Sequence, residues 1–213
     1  AEPEPEVGGS LERVVALNGR HWPWEIGRPG ALLGEAEGRW LFFDLETLRS
    51  ADDVGGWQNI RDMGLALGVV FDSATGELRT YLEEDADRLA EDLLAADRVV
   101  GFNSDRFDLT VLEGYVGKRI RGVESLDLLV EVRGKLGKRL SLAHLVGETL
   151  GVGKSADGLQ SLRWVKQGRF DLIERYCRDD VVLTTALWAH GRERGYVLFK
   201  TKEGIRARVP VKW

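Results

Sequence analysis

Short apolar runs of strand length, placed at intervals along residues 40–102, constrain the fold of this chain more than any other feature. Residues 40–45, 65–72 and 98–102 are runs of this kind, which indicate strands buried on both faces. Residues 72–76 have turn composition, and residues 77–82 follow as a return strand. The first three strands therefore form an antiparallel group.

Segments with the apolar spacing of helices fill most of the remaining chain. They cover residues 83–96, 106–115, 126–136, 142–150, 158–167 and 171–194, with a short strand at residues 123–126. Residues 196–201 and 205–211 are typical of a small hairpin. An antiparallel strand group followed by β-α-β units predicts an α/β fold, with a mixed β-sheet flanked by helices and a small C-terminal hairpin.

The chain divides into three predicted parts. Residues 1–38, which hold four of the five prolines, are expected to form a tail and an irregular segment. Residues 39–194 are expected to form the α/β domain, and residues 195–213 a hairpin extension packed on it.

Composition excludes several classes of protein. The single cysteine, Cys177, cannot form an internal disulfide, and three scattered histidines make a zinc site a poor interpretation. No apolar run approaches the ~20 residues that span a bilayer, so we expect no membrane association and a cytoplasmic location. The net charge of −5 argues weakly against a broad duplex-binding surface but not against binding of a short single strand.

Two carboxylates, Asp44 and Glu46, stand two positions apart at the end of the first buried strand. Side chains at this spacing lie on the same side of a strand, so the two acids are able to share a divalent cation. An isolated pair of this kind is more often a solvated strand end.

A second acidic motif follows the strand at residues 98–102. Asn103, Phe107 and Asp108 lead into a helix, and Asp108 is expected in its first turn. Helix-dipole complementarity is an alternative role for this acid, and the pattern leaves Asp105 open as the ligand instead.

The third motif lies on the long helix at residues 171–194. Tyr176 and Asp180 are four residues apart, so they share a face, and that face continues an inward apolar stripe. A buried Tyr–Asp pair is the alternative interpretation, and Asp179 is expected to be solvated.

Four inward acids from three elements repel one another unless cations neutralise them. Oxygen ligands suit Mg²⁺ or Mn²⁺, and two such ions form the usual clamp for phosphodiester hydrolysis.

The order D-x-E, N-x3-F-D, Y-x3-D resembles the DEDD superfamily of 3′→5′ exonucleases, in the subtype (DEDDy) with Tyr in the last motif, whose fold is RNase H-like. Residues 43–47, 54–57, 99–103, 149–160 and 176–181 resemble more closely the bacterial YprB-like exonuclease domains, which are often associated with DEAD/DEAH-type helicases. This resemblance implies hydrolysis from a 3′ end with two divalent cations, Mg²⁺ or Mn²⁺. It implies a substrate of single-stranded or 3′-ended nucleic acid, with DNA favoured, a role in DNA repair or processing, and a helicase partner.

Carried over by motif, Asp44 bridges both ions, Glu46 and Asp180 complete the nucleophile-side ion, Asp108 holds the second, and Tyr176 orients the attacking water. An exoribonuclease that trims RNA 3′ ends, and a non-catalytic nucleic-acid-binding module of the same fold, are the alternative functions. The residues expected to contact the substrate are Thr47, Trp57, Asn103, Phe107 and Lys154.

Two basic segments stand outside these motifs. Residues 118–139 hold seven basic and three acidic residues, and residues 200–212 hold five basic and one acidic. Either segment is able to guide a phosphate backbone, and ordinary solvated faces are the alternative. His144 is interpreted as structural.

Overall fold

The computed structural model describes residues 38–152 and 158–213, and a mixed five-stranded sheet forms its centre. The strand order is β3-β2-β1-β4-β5. β1 pairs antiparallel with β2, and β2 with β3, while the β1–β4 and β4–β5 pairs are parallel. The strands are β1 Trp40–Thr47, β2 Leu65–Asp72, β3 Leu78–Leu82, β4 Arg98–Gly101 and β5 Ser125–Asp127. The predicted mixed sheet is confirmed.

Helices cover both faces of this sheet. In the described ranges the α-helices are α1 Ala86–Leu94, α2 Asp108–Val116, α3 Leu128–Leu136, α4 Leu142–Leu150, α5 Gly158–Lys166 and α6 Phe170–Arg194. The sequence pattern did not predict the 3₁₀ helices Trp57–Met63 and Gly117–Gly122, which are too short to show helical apolar spacing. Among the described residues, no helix has the length and apolar character needed to cross a membrane.

Alternation along β1 divides the interior into two cores. Leu41 and Phe43 pack against α1, α2 and the 3₁₀ helix Trp57–Met63. Trp40 and Phe42 lie on the opposite face, in a core shared with α3 to α6. Successive side chains of a strand point to opposite faces, so a strand covered on both sides is apolar throughout until a functional residue interrupts it.

The long helix α6 is fixed against the sheet at both ends. Near its C-terminal end, the ring of Trp188 packs edge-on to Phe42, with 5.1 Å between ring centroids. Near its N-terminal end, Thr80 of β3 donates its hydroxyl to Glu174 at 2.7 Å, and Arg178 donates to the Thr80 hydroxyl at 3.0 Å. These contacts hold the intervening turns of α6, which carry Tyr176 and Asp180, at a set distance from β1.

The predicted C-terminal hairpin is present as β6 Tyr196–Lys200 and β7 Arg206–Pro210. Its inner face contributes Val197, Phe199 and Val209 to the core shared with α6. Helix α4 covers the outer edge of β6, because Thr149 Oγ1 accepts from Leu198 N at 2.9 Å and His144 Nε2 accepts from Lys200 N at 3.0 Å. His144 therefore has the structural role predicted for it.

Candidate metal centre

Three of the predicted acids come together where β1 meets α6. Asp44, Glu46 and Asp180 each offer a carboxylate oxygen, and these oxygens all lie within 4.8 Å of one another. Glu46 and Asp180 are buried and Asp44 is half-buried. Position 44 and position 46 share a side of β1, as the spacing predicted, and Asp180 approaches that side from the helix packed over it.

Tyr176 lies one helical turn before Asp180, and its hydroxyl is hydrogen-bonded to the Asp180 carboxylate. Burial, followed by the charges of Asp180, Glu46 and Asp44, raises the pKa of the Tyr176 hydroxyl far above its ordinary value of 10.0. The hydroxyl therefore stays protonated at neutral pH, where it is able to donate a hydrogen bond but not to remove a proton. Trp164 of α5 packs edge-on to the Tyr176 ring, with centroids 6.2 Å apart.

Asp108 is the first residue of α2, as predicted, and only 3% of it is exposed. Its Oδ1 accepts a hydrogen bond from Leu45 N at 3.0 Å, so it contacts β1 at the backbone position between the two acids of the first motif. Burial raises the pKa of Asp108 from 3.8 to about 7, and the charges of Asp127 and Asp105 add to that rise. Asp108 thus borders the cluster of three acids.

Asp105, the alternative ligand, points elsewhere. Its Oδ1 accepts from the hydroxyl of Ser125 at 2.5 Å, on the β5 side of the loop. Its backbone N–H donates to Asp127 Oδ2 at 3.1 Å. The buried carboxyl of Asp108, bonded to β1, is the better placed of the two for a metal.

Cys177, on the third motif, contacts Asp44 of the first motif, and the sequence pattern predicted no contact for it. Its buried thiol lies 3.3 Å from the backbone oxygen of Asp44 and 3.6 Å from Asp44 Oδ2. Burial, and then the charges of Asp44, Glu46, Asp180 and Asp108, raise the pKa of the thiol well above 9.0. All four acids thus act on one buried atom, so they form a single negative region. The sequence did offer one sign of this contact, because Cys177 is next to Tyr176 on a helix that was predicted to face inward.

Asp127 is a further buried acid that sequence reasoning missed. It caps α3 by accepting from Leu129 N at 2.9 Å, and it also accepts from Asn103 N at 2.8 Å. Asn103 has a φ of 67°, a left-handed conformation that Asn tolerates better than most residues. Asp127 therefore fixes the loop that precedes Asp108. The signal was an acid at the start of the helical pattern of residues 126–136.

Two of the predicted substrate-contacting residues lie beside each other. Trp57 is 61% exposed, and its ring centroid is 6.3 Å from that of Phe107, the residue before Asp108. The 3₁₀ helix that begins at Trp57 is pressed against α2, since a side chain at Gly114 would collide with the backbone oxygen of Arg61. The aromatic pair is thus held in a fixed position next to the acids.

The other three predicted contacts differ in their surroundings. Thr47 is buried and donates its hydroxyl to the backbone oxygen of Arg49 at 3.0 Å. Asn103 Oδ1 accepts from Arg139 Nη2 at 2.7 Å. Lys154 lies outside the described residues.

One prediction at the third motif is wrong. Asp179 was expected to be solvated, but it is only 8% exposed. Helix α6 packs against the sheet, α4, α5 and the hairpin, so more than one of its faces is buried.

The donor set suits a hard divalent cation. Every candidate ligand is a carboxylate oxygen, which favours Mg²⁺ or Mn²⁺ over zinc or copper. The raised pKa values of Asp108 and Tyr176 report a local excess of negative charge together with burial. Bound cations would neutralise that charge.

One solved structure with a TM-score above 0.5 shares this fold. The chain is similar to the family B DNA polymerase from the hyperthermophilic archaeon Pyrobaculum calidifontis, with a TM-score of 0.54 and 18% identity over 70% of this chain and 24% of the polymerase. The E. coli ExoI–ssDNA complex in its zinc-bound form gives a TM-score of 0.48 and 16% identity, over 74% of this chain and 41% of ExoI.

This chain therefore spans about a quarter of the length of the polymerase that it resembles. The sequence matches no family model and no curated protein. The likeness to the polymerase shows an α/β fold, consistent with the RNase H-like exonuclease fold that the motifs predicted.

Proposed function

We propose that this chain is a metal-dependent 3′→5′ exonuclease acting on single-stranded nucleic acid, with DNA as its favoured substrate. The observation that carries the proposal is the meeting of Asp44, Glu46 and Asp180 within 4.8 Å, with Asp108 bonded to the same stretch of β1. Carboxylate clusters of this kind hold the paired cations used for phosphodiester hydrolysis.

The proposed role of each carboxylate follows the motif that it matches. Asp44 shares a side of β1 with Glu46 and lies near Asp180, and it would be the ligand common to two ions. Glu46 and Asp180 would hold the ion beside Tyr176, and Asp108 would hold the other. When bound, divalent cations activate water and stabilise the leaving oxygen.

Tyr176 would position the attacking water without removing its proton. Its hydroxyl is kept protonated by burial and by three neighbouring carboxylates and is hydrogen-bonded to Asp180, so it would hold the water by a hydrogen bond beside that carboxylate. Trp57 and Phe107 would stack on the terminal bases, since an exposed Trp beside a half-buried Phe offers a platform that is tolerant of sequence.

End-labelled oligonucleotides test the proposal. The protein is incubated with 5′-labelled and 3′-labelled single-stranded DNA and RNA in Mn²⁺, Mg²⁺ or EDTA. We expect the 5′ label to give a ladder of shortening products and the 3′ label to give mononucleotide at once, both abolished by EDTA.

Two variants complete this test. Asp44→Asn should remove all cleavage, while Asp87→Asn, at an exposed acid on α1, should cleave as the wild type does. Shortening from the 5′ end, or cleavage that survives EDTA, would overturn the proposal. Preferred cleavage of RNA would favour an exoribonuclease, and strand binding without cleavage would favour a non-catalytic module.

A further inference from the structure

Two basic segments far apart in sequence come into contact in the fold. Residues 133–139 contain four Lys or Arg residues and no acid, and residues 200–212 contain five with a single acid, Glu203. All nine cationic side chains are exposed. We call the surface that they form the basic ridge, made of Arg133, Lys135, Lys138, Arg139, Lys200, Lys202, Arg206, Arg208 and Lys212.

One direct contact joins the two halves of the basic ridge, and a second fixes the hairpin to a neighbouring helix. The Lys138 ammonium lies over the Phe199 ring of β6, 5.1 Å from its centroid. The bond from Lys200 N to His144 Nε2 ties the tip of the hairpin to α4. The cations are therefore displayed on a rigid support, which reduces the entropy lost when they bind a ligand.

The basic ridge begins at the metal centre. Arg139 donates to the side-chain oxygen of Asn103 at 2.7 Å. Asn103 lies just beyond the end of β4, and β4 pairs in parallel with β1 at Val100 and Phe42. Two residues further along β1 is Asp44, so the loop that holds Asn103 leaves the sheet at the same edge as the acids. A strand whose 3′ end occupies the centre would therefore find Arg139 at the loop beside the acids and Lys138 next along the chain toward the hairpin.

The charge pattern within the hairpin points to a polyanion. Lys200 and Arg206 are directly opposite each other across the two strands, an arrangement of like charges that destabilises a hairpin. Glu148 offsets part of this by pairing with Arg206 at 2.9 Å. In a chain with a net charge of −5, clustering of cations at such a cost is expected where phosphates bind.

We propose that the basic ridge binds the phosphate backbone of the single strand on the 5′ side of the bond that is cleaved. The inference rests on the proposed function only for the direction in which the strand runs from the metal centre. The attraction between these cations and phosphates does not depend on catalysis. It names residues 133–139 and the β6–β7 hairpin as the surface that lets the protein distinguish a long strand from a short one.

A charge-reversal variant tests the basic ridge. Lys135→Glu, Lys200→Glu and Lys202→Glu are combined, since these three exposed side chains lie away from the acids. The matched control combines Arg88→Glu, Lys118→Glu and Arg119→Glu, which changes net charge equally near α1 and the 3₁₀ helix Gly117–Gly122. Binding of labelled oligothymidylates of about 4 and about 20 nucleotides is followed by fluorescence anisotropy in EDTA, which keeps the strands intact.

We expect the ridge variant to bind the long strand at least about tenfold more weakly and the short strand within about twofold of wild type. Its slope of log affinity against log salt should fall by about 2, since each phosphate contact on a single strand contributes about 0.7. Long-strand binding equal to wild type, or equal weakening in the control, would overturn the proposal. The two proposals can also fail separately. If the ridge variant binds the long strand more weakly but the wild type cleaves nothing in Mn²⁺, the basic ridge is upheld and the exonuclease is refuted.

Discussion

Replacing Asp108 with Asn should change how the stability of the metal-free protein depends on pH. Burial raises the pKa of Asp108 from 3.8 to about 7, so the folded protein holds this proton more tightly than the unfolded chain. The stability that results is fully present below about pH 4 and is lost as pH rises to about 7. Asn keeps the size of the side chain and an oxygen that can accept from Leu45 N, but it does not titrate.

The magnitude follows from the two pKa values. At 1.36 kcal/mol per pKa unit, the rise from 3.8 to about 7 corresponds to about 4 kcal/mol. Urea unfolding in EDTA, followed by Trp fluorescence at intervals from pH 4 to pH 8, measures it. The free energy of unfolding of wild type should fall relative to that of Asp108→Asn by about this amount across the window.

Adding Mn²⁺ gives a second test of the Asp108 carboxyl. Because a cation favours the ionised carboxylate, saturating Mn²⁺ should remove most of the decline in the wild type and have a smaller effect on Asp108→Asn. The exposed-site control Asp87→Asn should follow wild type throughout. Curves for wild type and Asp108→Asn that run parallel from pH 4 to pH 8 in EDTA would refute the assignment of a buried, cation-dependent carboxyl at this position.

Other substitutions probe separate parts of the site. Tyr176→Phe should lower kcat substantially while Mn²⁺ binding is unchanged, because only the hydroxyl that positions the water is lost; an unchanged kcat would remove Tyr176 from the mechanism. Trp57→Ala should raise KM with little change in thermal stability, since stacking on a base is worth about 1–3 kcal/mol and this side chain is 61% exposed. Asp44→Ala should abolish cleavage and leave metal-free stability level or raised, because it relieves like-charge repulsion; a large loss of stability would contradict that reason.

Much of the sheet was predictable because its strands are covered on both faces. A strand such as β2, Leu65–Asp72, is apolar along its length, so its limits are visible in the sequence and were predicted without error. The start of α4 at Leu142 was also predicted, since Ser141 caps it and accepts from His144 N. The limits of β2 and the start of α4 each depend on residues that are close together in the chain, so the sequence alone is enough to predict them.

Contacts between elements that are distant in sequence were harder to predict. The bond from Leu45 N to Asp108, which separates it from Asp105 as a candidate ligand, joins two elements more than sixty residues apart and leaves no periodic pattern. The position of Cys177 against Asp44 and the burial of Asp179 likewise depend on how α6 is surrounded. Asp44 and Glu46 were predictable because they end an apolar run, and Asp180 because it lies on the apolar face of a long helix.

Counting bound Mn²⁺ is the most direct test of the claim that these four carboxylates form one metal centre. The electron paramagnetic resonance signal of free Mn²⁺ is followed while wild type and Asp44→Asn are titrated, each with a nucleoside 5′-monophosphate present. We expect wild type to bind two ions per chain, the number that the proposed clamp requires, and Asp44→Asn to lose at least one of them because the Asp44 carboxylate is one of the three that lie within 4.8 Å of one another. Wild type that binds no Mn²⁺, or an Asp44→Asn protein that binds as many ions as wild type, would contradict the account.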